Sequence, residues 1–92
     1  MENEKVEIRT QRLFRVMTKI VIFDVENLTI DYELNAQKKY CKIKQKHVNS
    51  VRNALIDDVR VSLLITRKAK YVNGKIAGIY DELTDITLFS RK

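Results

Sequence analysis

The chain has no proline and no tryptophan, one cysteine, one histidine and two glycines among its 92 residues. Without proline nothing forces a break, so element ends must be read from glycine, asparagine and charge. The lone Cys41 excludes an internal disulfide and any zinc-type cysteine spacing. The lone His47 lies six residues from Cys41, which on a helix turns the two about 240° apart and argues against a Cys–His dyad. No P-loop, dinucleotide fingerprint or EF-hand spacing is present. These absences lead us to expect no catalytic residue, no metal and no cofactor. The longest apolar run, Ile20 to Phe23, is too short to cross a bilayer. The opening MENEKVEIR has no basic-then-apolar leader. Both point to a protein with no membrane partner, in the cytoplasm or, if phage-encoded, the host cytoplasm.

What is present is charge. Hydrophobic residues make up 45% and charged residues 33%, a globular balance, and 18 Lys+Arg against 12 Asp+Glu leave a net +6. Lys38, Lys39, Lys42, Lys44 and Lys46 crowd one stretch, and Arg9, Arg12, Arg15 and Lys19 form a looser group. Acids collect in Asp24–Glu33, at Asp57-Asp58 and in Asp81–Asp85. Such asymmetry suits a polyanion partner without requiring one. A composition rich in Lys, Ile and Asn points toward an AT-rich genome such as that of a phage or mobile element.

The segment "NAQKKYCKIKQKHVNSVRNALIDD" has apolar positions at Ala36, Tyr40, Ile43, His47, Val48, Val51, Ala54 and Leu55. Steps of three and four predict a helix over about 36–57, with Asn35 as N-cap and a lysine-rich opposite face. Alternation in "KYCKIK" also permits a short strand ahead of a helix starting near Gln45. "VRVSLLIT" alternates as a strand, and Asn73-Gly74 predicts a type I′ hairpin turn. That turn would set Tyr71 against Ile76, Ala69 against Gly78 and Arg67 against Tyr80, leaving Gly78 as a shallow place for close packing. A turn at Asp81-Glu82 and a strand Thr84–Phe89 would follow. Upstream, Val21, Phe23 and Val25 and then Leu28, Ile30, Tyr32 and Leu34 alternate as a second hairpin. Residues 5–17 fit a strand or a helix. The "NGKIAG" hairpin after a helix resembles that of the small Sm-like barrels, but no family is assigned on it. The expected fold is a single α+β domain, 1–92. About five antiparallel strands would form two hairpin groups, with one main helix packed on them.

The expected function is a non-enzymatic, small basic module acting on nucleic acid or a nucleoprotein complex. Its contacts would be the lysine-rich helix face, Lys38, Lys39, Lys42 and Lys46, helped by Arg12 and Lys70. The plain alternative for that face is a solvated surface. The competing function is a phage- or mobile-element-encoded inhibitor or adaptor, of the anti-CRISPR type, docking on a host protein. Its acidic stretch Asp24–Glu33 would imitate phosphates. A homodimer through an edge strand or the N-terminal segment fits either function.

Overall fold

The computed structural model of the chain describes residues 3–89, so the expected 1–92 domain reaches slightly past the described residues at both ends. The order is β1 (Val6–Thr18), β2 (Ile20–Asp24), β3 (Thr29–Leu34), β4 (Gln37–Lys42), a one-turn 3-10 helix (Gln45–His47), α1 (Val48–Asp57), β5 (Val61–Val72) and β6 (Lys75–Leu88). The fold is α+β, with one short helix and a six-stranded mixed sheet in the order β1-β5-β6-β4-β3-β2.

Of residues 5–17, all from Val6 onward are strand. Val16 is buried while its neighbour Met17 and the more distant Leu13 are exposed, a period of two rather than a helical stripe. β1 pairs antiparallel with β5 along its whole length. After a single break at Lys19 the chain continues as β2, which pairs with β3. The sheet order thus begins and ends with the two halves of one bent strand, and the ribbon curls back on itself as a small barrel. Thr18 Oγ1 pins this bend by donating to the Glu33 carbonyl at 2.7 Å.

The expected helix over 36–57 is corrected in its first half. Asn35 and Ala36 both have positive φ, 54° and 64°. They form a tight two-residue turn between β3 and β4, not a helix start. β4 then runs in unbroken register with β3, from Leu34↔Gln37 to Thr29↔Lys42. Cys41 is 0% exposed and Tyr40 67%, so the alternation in "KYCKIK" prevailed over the helical spacing. Only residues 45–57 coil. There His47, Val48, Val51 and Ala54 are buried as expected, and α1 packs on β2 and β6. α1 ends at Asp58, left-handed at φ 51°, with the Val59 N–H closing onto the Ala54 carbonyl at 3.2 Å.

The sheet is also not purely antiparallel: β4 and β6 meet in parallel at one pair, Lys42↔Glu82. β5 and β6 turn at Asn73-Gly74 (φ 52° and 82°) as expected, and Tyr71 faces Ile76. Then Ala77 bulges out, so that Ala69 faces Ile79 instead of Gly78, and Arg67 faces Asp81 instead of Tyr80. Gly78 borders open space, not a packing partner. No turn interrupts β6 at Asp81-Glu82: Asp81 stands opposite Arg67 and accepts from its side chain, and Glu82, opposite Thr66, accepts diagonally from the Lys68 ammonium.

The core is formed by Val16, Ile20, Ile30, Tyr32, Cys41, Ile43, Val48, Val51, Ala54, Val61, Leu63, Ile65 and Leu83. β1, β5 and β6 are longer than this body needs. Their far halves project as a three-stranded arm, and the molecule measures 60 × 26 × 19 Å.

Candidate functional site

Cross-strand partners share a sheet face, so the register assigns every side chain to a side. From the buried Ile65, its side of the sheet runs outward along the arm. It carries Phe14, Arg12 and Arg9 on β1, Arg67, Ala69 and Tyr71 on β5, and Asp81 and Ile79 on β6. This inner face, which Glu7 shares opposite Tyr71 and in contact with Arg9, leaves the barrel as a strip of charged and aromatic side chains. The Arg12 and Arg67 guanidinium groups both lie over the Phe14 ring, at 5.1 and 5.2 Å, and Arg9 lies over Tyr71 at 4.6 Å. Arg67 holds Asp81 through two hydrogen bonds, Nε to Oδ1 at 2.8 Å and Nη2 to Oδ2 at 3.1 Å. That bonding raises the Arg67 pKa and fixes its plane.

β4 and β6 diverge before their single pair, and a cleft opens between them. One wall is Lys38, Lys39 and Tyr40; the other is Arg67, Ile79, Tyr80 and Asp81. Lys42 closes the rim, its ammonium 4.9 Å from the centre of the Tyr80 ring.

Of the residues expected to bind, Lys38, Lys39, Lys42 and Arg12 therefore gather around this cleft and its extension, but from strands. The helix face that was to carry them does not exist. Extended backbone sends Lys38 and Lys42 outward beside Tyr40, while Lys39 is on the side of Tyr32 and Cys41, at the barrel mouth. Lys46 belongs to the 3-10 turn beyond the other end of β4. Lys70 pairs with Ile8 and Gly78 on the opposite face of the arm. Neither reaches the cleft. Arg67, Tyr80, Phe14, Arg9 and Tyr71 were not anticipated, although Arg67 alternates with Ile65 and Ala69 and so shares their face.

The buried groups offer little chemistry. Burial pushes the Tyr32 phenol and the Cys41 thiol up to about 12, so neither ionises near neutrality. The acidic stretch does not form a continuous strip either. Asp24 caps its own turn, accepting from the Asn27 side chain at 2.8 Å and from the backbone N–H groups of Glu26 and Asn27, which lowers its pKa. Glu33 stands opposite Lys38 and Asp31 opposite Tyr40. Among the described residues no cluster of three or more His, Cys, Asp or Glu could hold a metal ion. None of their helices is long and apolar enough to cross a membrane. No family model, no curated protein and no solved structure matches the chain.

Proposed function

We propose that the protein is a non-enzymatic module that binds single-stranded nucleic acid in the β4–β6 cleft and along the Phe14 strip beyond it. The observation that carries this is one open groove lined by Lys38 and Lys39, from the two faces of β4, together with Arg67 and two tyrosines, with Arg12 adjoining through the Phe14 ring it shares with Arg67. Cations tracking a backbone, interleaved with rings on which bases stack, are how single strands are held without sequence readout. Tyr40, two-thirds exposed, is available for such stacking. The connectivity supports the reading by analogy alone. A bent first strand shared by two hairpin systems and closed by a parallel pair is the arrangement of OB-type barrels, which bind oligonucleotides on a strand face and its flanking loops.

Fluorescence anisotropy with a labelled oligonucleotide tests it. Phosphate contacts from Lys38, Lys39, Lys42 and Arg12 predict a log–log salt slope of about −3 on single strands. Lys38→Glu with Lys39→Glu should weaken binding about tenfold or more, and Tyr40→Ala should remove about 1–3 kcal/mol. Lys46→Glu, away from the cleft, is the control. A flat salt response, or equal loss in the control, would sink the reading.

A second reading is a protein-directed inhibitor or adaptor, phage-encoded or from a mobile element. It is favoured by the arm's free edges and its exposed Val6, Ile8, Ile76 and Ile79. A pull-down from nuclease-treated host lysate separates the two, since retention of one specific protein favours docking.

A further inference from the structure

We infer that the free edge of β1 is a self-complementary surface whose partner is a second copy of this chain, paired antiparallel about a two-fold axis at Ile8. The inference is independent of the nucleic-acid reading. Among the described residues β1 is the last strand on its side of the sheet and pairs only with β5 along the arm. The Asn73 N–H donates to the Lys5 carbonyl at 2.8 Å, and the Lys5 N–H donates to Asn73 Oδ1 at 3.0 Å. Backbone groups alternate in direction along an antiparallel pair. Lys5, Glu7 and Arg9 therefore turn theirs toward β5, while Val6, Ile8 and Thr10 turn theirs to the open edge.

Only residues 6, 8 and 10 can bond a neighbouring strand, which leaves few symmetric registers. With the axis at Ile8, Ile8 meets Ile8 of the second copy, Val6 meets Thr10, and Glu7 meets Arg9 on both sides. Roughly six backbone hydrogen bonds form. Moving the axis to Glu7 or to Arg9 sets like charges directly opposite each other in a non-hydrogen-bonded pair, where side chains are closest. The sequence of the edge thus selects one register over its two neighbours. The same pairing covers Val6 and Ile8, which are 52% and 47% exposed in the single chain. The Glu7–Arg9 contact within each chain is exchanged for two across the axis. Gln11, the extra residue at the register shift in β1, ends the ladder. The arm's other free edge, on β6, is interrupted by the Ala77 bulge and is less suited to the same use.

Sedimentation velocity on the full chain after nuclease treatment provides the test. Wild type should sediment at twice the chain mass. Glu7→Arg alone and Arg9→Glu alone should each be monomeric, with an unchanged β-type circular dichroism spectrum. An equimolar mixture of those two variants should recover the doubled mass, because an all-positive edge then meets an all-negative one. Ile8→Pro removes an outward N–H that has no partner among the described residues, so it should give folded monomer. A monomeric wild type at every soluble concentration would overturn the inference. So would either single charge variant remaining dimeric, or a mixture that stays monomeric.

Discussion

The barrel body and the projecting arm share three strands, β1, β5 and β6, yet they solve different problems. In β5, Val61, Leu63 and Ile65 are fully buried, whereas beyond Ala69 the strand is partly exposed. In β6, Leu83 is fully buried, while Ile76 and Ile79 are more than half exposed. The body has side chains on one face meeting those of the facing strands and of α1. The arm has two accessible faces and free edges, and is held by ladder hydrogen bonds, ring–cation contacts and paired charges. Stability should therefore reside in the body, and recognition in the arm and at the cleft where the two meet.

The largest test of that division is a pair of truncations. Leu63→Ala should cost about 2–5 kcal/mol, because it leaves a cavity where relaxation is limited. Ile79→Ala, on a partly solvated sheet, should stay within about 0.5 kcal/mol. Urea unfolding of both variants measures the contrast, and equal losses would abolish the distinction between the two halves.

A smaller effect compares the tight turns. The arm turns at Asn73-Gly74, where glycine accepts φ 82° without strain; the body turns from β3 to β4 at Asn35-Ala36, where alanine holds φ 64°. An L-residue with a Cβ is disfavoured there by about 1–2 kcal/mol, partly offset by the extra freedom glycine has when unfolded. Ala36→Gly should thus raise stability by roughly 0.5–1 kcal/mol, while Gly74→Ala should lower it. Thermal melts of the two variants read the signs.

The smallest effect is pH dependence in the body. His47 is buried, and burial first, then Lys46, lowers its pKa, with Lys44 adding to them and Asp85 and a bond with the Thr84 backbone opposing. The fold therefore favours the neutral ring, and the Lys44 N–H donates to its Nδ1 at 3.4 Å. This contribution is complete above the unfolded value of about 6.5 and is lost as pH falls below it toward the lowered folded value. The melting temperature should decline through that window, and less steeply in His47→Gln. Hydrogen exchange should locate the loosening at α1 and the barrel base, not in the arm.

The segment 35–58 shows where local sequence is decisive and where it is not. From His47 to Ala54 the apolar spacing matches only a helix, and that part coils with the anticipated residues inside. From Gln37 to Lys42 both periods are available, and pairing with β3 chose the extended one. Asn-Ala lacks the glycine that announces a tight turn, so the β3–β4 connection has no local signature. The four cations around the cleft were visible as residues, but not their positions: Lys38 and Lys39 point to opposite sides of one strand, which no helical projection could show. The face of Arg67 follows from its alternation with Ile65 and Ala69, but its pairing with Asp81 did not, since the Ala77 bulge changes every cross-strand partner beyond it.

By itself, the sequence determined the α+β class, the Asn73-Gly74 hairpin, the 20–34 hairpin, the helix core at Val48, Val51 and Ala54, and a surplus of positive charge. Each rests on interactions between residues close along the chain, which spacing alone reveals. Tertiary structure decided the closure of the sheet through a strand bent at Lys19, the parallel meeting of Lys42 with Glu82, and the cleft between β4 and β6. Those depend on contacts between distant segments, where ladder hydrogen bonds and burial outweigh local preference.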